Sequence, residues 1–202
     1  MTAQAPGDGL GLPLLVVSSE RATAEQRLVV RLQAGELAAL AEAYDEHHVH
    51  VRAFAQRLIG DDGAAEDLVQ ETFLALPRVV ARFRGDASLR TLLLSIAING
   101  ARHHVRAAAR RRAATARLAR EPNPEASTPA EEVARAELAA ALLRALDALS
   151  IEQRAVVVLC EVEGRTAVEA ARIVGAPEAT VRTRLFHARR KLSEALAREG
   201  FG

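Results

Sequence analysis

The chain has 202 residues, half of them hydrophobic but only 3% aromatic, and a formal net charge of +1. That length is one large domain or two small ones, with a core of Ala, Leu and Val that favours helices, while 12 Gly and 7 Pro are too few to punctuate many short strands. Collagen-like and low-complexity classes are excluded, and the lone Cys160 can make neither an internal disulfide nor a cysteine zinc site, so it reads as a small buried hydrophobe in a reducing compartment.

In chain order, residues 1–25 lack hydrophobic periodicity and are expected as a flexible leader. The apolar stretch Leu10–Val17 is far short of the roughly 20 residues a membrane span needs, and no basic residue precedes it as in a signal peptide. A soluble, cytoplasmic protein without membrane insertion is expected. A first domain spans 26–115. Leu28, Leu32, Leu37, Leu40 and Tyr44 recur near helical spacing, with a break at Gly35. Val51, Phe54, Ala55, Leu58 and Ile59 form a second stripe, and Gly60-Asp61-Asp62-Gly63 a turn. A third helix, Ala64 to Leu76, buries Leu68, Phe73 and Leu76 and leaves Glu66, Asp67, Gln70 and Glu71 outside; Pro77 should end or kink it. After a loop at Arg84-Gly85-Asp86, Ser88 caps a fourth helix that runs through Leu92, Leu93, Ile96 and Ala97 into an Arg-rich tail.

Pro122, Pro124 and Pro129 break helices and mark a flexible linker at 116–131. A second domain spans 132–202. Ala134 to Leu149 is Ala/Leu-rich, and Ser150 sits three residues before Gln153 in a capping-box pattern. Val156–Leu159 has strand propensity but no partner strand nearby, so it is read as a buried helix, stopped at Glu163-Gly164. A short helix (Ala167–Val174), a turn at Gly175-Ala176-Pro177 with Pro177 suited to the first helical position, and a long helix to about Arg198 complete the chain. The fold class is all-α: two small helical domains joined by a flexible linker.

Charge alternates along the chain. Glu36–Leu76 carries net −7, Pro77–Arg120 net +10, Glu121–Glu169 net −6 and Ala170–Gly202 net +4. Two acidic-then-basic units suggest two modules, each with an acidic face for one partner and a basic face for another, and basic stretches of this density attract phosphate backbones. Of the 27 basic residues 26 are Arg, which forks phosphates and base edges better than Lys.

The short helix, Gly-containing turn and longer basic helix form a helix-turn-helix pattern. In the last helix Val181, Leu185, Ala188, Leu192 and Leu196 form the buried stripe. Arg182, Thr183, Phe186 and His187 form a separate face of the types that read base edges, flanked by Arg184, Arg189, Arg190 and Lys191 for phosphates.

The stretches A-E-D-L-V-Q-E-T-F (65–73), F-R-G-D-A-S (83–88) and S-I-A-I-N (95–99) resemble region 2 of extracytoplasmic-function (ECF) sigma factors. A-L-D-A-L-S-I-E-Q-R-A-V-V-V-L-C-E-V-E-G (145–164) and E-A-A-R-I-V-G-A-P-E-A-T-V-R-T-R-L-F-H-A-R-R-K-L (169–192) resemble region 4, in the family's order and with its linker. The resemblance implies a sigma subunit that binds core RNA polymerase, recognises −10 and −35 promoter DNA and helps open the duplex. It implies no cofactor and no catalysis of its own, and it makes an anti-sigma factor an expected partner. By resemblance, Glu66, Asp67, Gln70 and Glu71 dock on the polymerase's largest subunit. The segment from Phe83 to Asn99 and the Arg-rich run capture the opened −10 strand, with Arg84, Arg90, Asn99, Arg102 and Arg106 supplying donors around a pocket for an extruded base. Arg182, Thr183, Arg184, Phe186, His187 and Arg190 contact the −35 element. The sequence departs from the family pattern at Pro77, Leu92, His103 and Ala179.

Other classes compete. A helix-turn-helix regulator would bind DNA without core polymerase; the acidic motif at 65–73 followed by F-R-G-D argues against it. A helical adaptor is disfavoured by the +10 segment. An enzyme reading rests on His47, His48 and His50 beside Glu46. His47 and His50 share a helix face, but no second acidic ligand is spaced to complete a metal site, so solvated histidines are expected.

Overall fold

Caps set most of the boundaries. The computed structural model describes residues 12–115, 141–142 and 145–201, with side chains for 23–104, 141–142 and 145–201. The first half holds α1 (Leu12–Gln33), α2 (Leu37–Ile59), α3 (Asp62–Val80) and α4 (Leu89–Thr115). The second half holds α5 (Ile151–Val157), continued by a π-helical turn (Val158–Val162), then α6 (Ala167–Val174) and α7 (Glu178–Arg198). Every described element is helical, including the Val156–Leu159 run. The proline-rich segment at 116–131 lies outside the described residues.

Four local expectations are corrected. α1 is already helical from Leu12, so the leader expectation fails over 12–25; the Glu25 carboxylate accepts from the Leu89 N–H and ties α1 to the start of α4. The turn after α2 is tighter than four residues. Gly60 takes a left-handed φ of +80° and its N–H donates to the Gln56 carbonyl at 2.8 Å. Asp61 then caps α3 by accepting from the Ala64 N–H at 2.7 Å, so Asp62 and Gly63 are in the helix. α3 continues through Pro77 to Val80. The proline removes one backbone donor only a turn from the helix end, and its ring faces solvent, so the helix survives it. Pro177 stands one position earlier than expected, as the N-cap of α7.

α2, α3 and α4 pack around Phe54, Leu58, Leu68, Leu76, Leu93, Leu94 and Ile98, all fully buried. At about 1.5–3 kcal/mol for each large apolar side chain, this layer is the main stabilising term. Gly100 lets α4 approach α3: a Cβ there would lie 2.5 Å from Leu68 Cδ1. The same apolar core runs on into Ala155, Val156, Val158, Leu159, Ile173, Val174 and Val181. A satellite cluster of Leu149, Val157 and Ala188 seats α7 on α5.

Two capping boxes start α5 and α6. The Ser150–Gln153 box was legible in the sequence and forms. The Thr166–Glu169 box has the same spacing: Thr166 Oγ1 accepts from the Glu169 N–H at 3.2 Å, and Glu169 Oε2 accepts from the Thr166 N–H and hydroxyl, both at 2.8 Å. These bonds, led by the backbone N–H, hold the Glu169 carboxyl below the usual carboxylate range. Thr166→Ala should therefore cost about 1 kcal/mol, read as a lower urea midpoint. A carboxylate with a depressed folded-state pKa stabilises above its unfolded pKa and loses that effect as pH falls through the folded one. Glu169→Gln should accordingly flatten the acid limb of the stability profile.

Candidate functional site

Asp67, Gln70, Glu71 and Leu74 sit at i, i+3, i+4 and i+7 on α3, one helix face. Asp67, Gln70 and Glu71 are exposed, whereas Glu66 is half-buried and pairs with Arg52 at 3.2 Å. Glu71 is held by His104 Nε2 at 3.0 Å. Beside this face lies an apolar groove of about 470 Å³ lined by Leu37, Leu40, Tyr44, Gln70, Phe73 and Leu74. Leu37 and Leu74 are 83% and 76% exposed, which is unusual for leucines flanking one groove. The sequence reading missed this groove. Its signal was available: Leu74 interrupts the polar face four residues after Gln70.

The second group converges at the start of α4. Ser88 Oγ accepts from the Thr91 N–H at 3.1 Å and caps the helix as expected. Gly85, with φ of +75°, turns the loop so that Arg84 and Asp86 are exposed. Phe83, Asp86, Thr91, Leu92, Ser95 and Arg172 of α6 line a cavity of about 480 Å³. One turn and more along α4, the exposed Asn99 accepts from Arg102 Nη1 at 2.5 Å. Arg90 and Arg102 also reach partners in the second half: Arg90 Nη2 lies 2.9 Å from Glu163 Oε2, and Arg102 donates to the Val174 carbonyl at 3.3 Å. The Arg106 side chain lies outside the described ones.

The third group is the outer face of α7. α6 ends at Gly175, left-handed at φ +66°, and Val181 and Ala188 are buried while Leu185 and Leu192 pack partly against the core. This orientation turns Arg182, Thr183, Phe186 and His187 outward together; Phe186 is 64% exposed and meets His187 edge-on at 5.5 Å. Arg182 is steered by Glu178, whose Oε1 accepts from Nε at 2.8 Å and Nη2 at 2.6 Å. Arg189 pairs with Glu161 and Arg190 with Glu194. Arg184 differs from its flanking-phosphate expectation, because it is half-buried with Nη1 enclosed.

The histidines are not solvated as expected. His47, His48 and His50 are each half-buried, and burial pushes His47 and His50 below the ordinary imidazole range. Among the described residues no group of three or more His, Cys, Asp and Glu side chains is arranged to hold a metal ion. Cys160 is free and half-buried, and desolvation raises its thiol. No described helix is long and apolar enough to cross a membrane.

Residues 43–111 match Sigma-70 region 2, and residues 139–192 match Sigma-70, region 4. The chain is 30% identical over 177 residues to the ECF RNA polymerase sigma factor SigM of Mycobacterium tuberculosis, covering 88% of this chain and 86% of that relative. It is 31% identical over 179 residues to the ECF RNA polymerase sigma-E factor of Escherichia coli, covering 85% and 93%. The solved structure of CnrH in complex with the cytosolic domain of CnrY matches with a TM-score of 0.60 at 26% identity, over 86% of this chain and 97% of that one. The sigma factor RpoE in complex with the anti-sigma factor NepR from Bartonella quintana matches with a TM-score of 0.57 at 25% identity, over 78% and 96%.

Proposed function

The chain belongs to the ECF group of sigma-70 factors, which direct RNA polymerase to promoters, and from that premise we propose how its surfaces divide the work. Sigma factors select where polymerase starts and do no covalent chemistry themselves. Residues 26–115 serve as the polymerase- and −10-binding domain, 132–202 as the −35-binding domain, and 116–131 as the tether.

Core polymerase docks on α3 through Asp67, Gln70 and Glu71, with Glu66 behind them. The groove at Leu74, Leu37 and Tyr44 adds apolar area to a charged patch, a combination that suits a protein partner rather than DNA. Arg84, Arg90, Asn99, Arg102 and Arg106 hold the opened −10 strand. The cavity at Phe83, Thr91 and Ser95 has room for an extruded base, and single-strand capture combines such a pocket with cationic walls. Arg182, Thr183, Phe186 and His187 read −35 base edges, and Arg190 flanks them toward phosphates, while the half-buried Arg184 stays out of that contact.

The observation that carries this reading is the outer face of α7. Four side chains of base-reading type are exposed together there, at the second helix of a helix-turn-helix whose other face is locked into the core. The similar sigma factor solved with the anti-sigma factor NepR supports an anti-sigma factor as a further partner of this chain, and work on core polymerase would place it in the cytoplasm. The test is run-off transcription on a promoter library, with core polymerase and without it. Specific start sites should appear only with both proteins present. Equal, specific binding to the same promoters by the chain alone would replace this reading with the simple regulator.

A further inference from the structure

The two halves are joined by charge as well as by apolar contact. Glu163, at the end of the π-helical turn, has a side chain only 6% exposed, and among the described residues its side-chain ion-pair partners, His50, Arg57 and Arg90, belong to the first half. Its Oε2 accepts from Arg90 Nη2 at 2.9 Å, and its Oε1 lies 3.3 Å from Arg57 Nη1. His50 packs against the same carboxylate, with Nε2 at 3.2 Å from Oε2 but not aligned for a hydrogen bond. Arg90 can only donate, so His50 Nδ1, 2.9 Å from Arg90 Nη2, accepts and the ring proton sits on Nε2. A carboxylate this enclosed is costly unless paired, and two guanidiniums offset the loss of water.

Three further arginines lie between the halves. Arg102 donates to the Val174 carbonyl at 3.3 Å and lies 3.6 Å from Glu152. Arg154, nearly buried, donates to the Leu58 carbonyl in the last turn of α2 at 3.2 Å. Arg172 of α6 lines the cavity at Phe83 together with residues of the first half. Two arginines of the first half's basic block, Arg90 and Arg102, thus face acids of the second half, Glu163 and Glu152. This arrangement cannot persist on a promoter. Elements named −10 and −35 lie about 25 base pairs apart, which at 3.4 Å per step is about 85 Å, whereas a compact chain of this length has a radius of gyration of about 17 Å.

We propose that Glu163 is an internal mimic of a DNA phosphate: in the free chain it clamps the halves together and occupies Arg90, and the clamp opens before the −10 strand binds. The proposal rests on the assignment of Arg90 to the −10 strand. Until the clamp opens, the free protein is a poor ligand for stray single strands.

The test uses the full chain with Cys160→Ser, Ala38→Cys and Ser193→Cys, both labelling positions being exposed. Electron–electron spin resonance distances between labels should be narrowly distributed in this parent and longer and broader with Glu163→Gln. Anisotropy with a 15-nucleotide single strand of mixed sequence should show several-fold tighter binding by Glu163→Gln. The exposed Glu46→Gln removes the same charge from α2 and should change binding by less than twofold. Unchanged distances in Glu163→Gln overturn the clamp, and an equal gain from Glu46→Gln overturns the mimicry. Arg90→Ala in run-off transcription with core polymerase checks the underlying assignment separately. Undiminished transcription there removes the mimicry, while the distances alone decide whether Glu163 holds the halves.

Discussion

Asp67→Arg combined with Glu71→Arg should abolish recruitment of core polymerase while leaving the fold in place. Both side chains are exposed, and neither contributes to the layer of Leu68, Leu76 and Ile98 beneath them. Among the described residues, the interaction lost within the chain is the contact of Glu71 with His104. Exposed pairs of this kind are worth about 0–1 kcal/mol, so the urea midpoint should move little. At the interface the expected loss is larger. Reversing a charge that meets a cationic partner costs about 2–5 kcal/mol, which is a fall in affinity of roughly 30-fold or more. The position of Leu74 makes a second, independent probe. Leu74→Ala removes apolar contact without altering charge and should weaken recruitment by a smaller factor that does not depend on salt, whereas the double charge reversal should be most damaging at low ionic strength. Retention of core polymerase by the folded double variant would remove α3 from the docking surface.

What could be read in advance divides by range. Elements defined by their own residues were legible: the α5 cap at Ser150 and Gln153, the α4 cap at Ser88, the turn at Gly175, and the sorting of α7 into a Val181–Ala188 stripe and an Arg182–Phe186 face. Each depends on neighbours within a turn or two. The Thr166–Glu169 box belonged to the same class and was simply overlooked. Pro77 was misjudged because the missing hydrogen bond matters less near a helix end, on a solvent face, than in mid-helix. The contacts of Glu163 with Arg57 and Arg90 span 106 and 73 residues, and no local pattern announces them. The charge alternation did hint at them. It was interpreted as faces for outside partners, when part of it is also satisfied within the chain. His50 shows the same limit: helical spacing gave its face on α2, but only the packing of the second half against that face explains why it is enclosed.

Arg182→Ala should relax −35 discrimination at a single base position. The guanidinium is exposed and held on α7 by Glu178, so its fork is oriented before DNA arrives. That pairing does not block binding: an exposed ion pair one helical turn apart is weak, and the exchange of a carboxylate for a guanine edge keeps two hydrogen bonds on the same fork. Loss of such a bidentate contact costs about 1–3 kcal/mol, and the cost falls on promoters carrying the recognised base. Arg190→Ala should behave differently. Its partner Glu194 lies one turn toward the helix end, on the side assigned to the backbone, so every promoter should weaken by a similar factor and the salt dependence should flatten by about one phosphate contact. Leu185→Asp supplies the limit of lost structure, because an unpaired charge between α7 and the core should unfold the second half. Transcription with core polymerase would be measured across a set of −35 variants for each substitution. A uniform loss with Arg182→Ala would make it a backbone contact and shift the reading face of α7 to Thr183, Phe186 and His187.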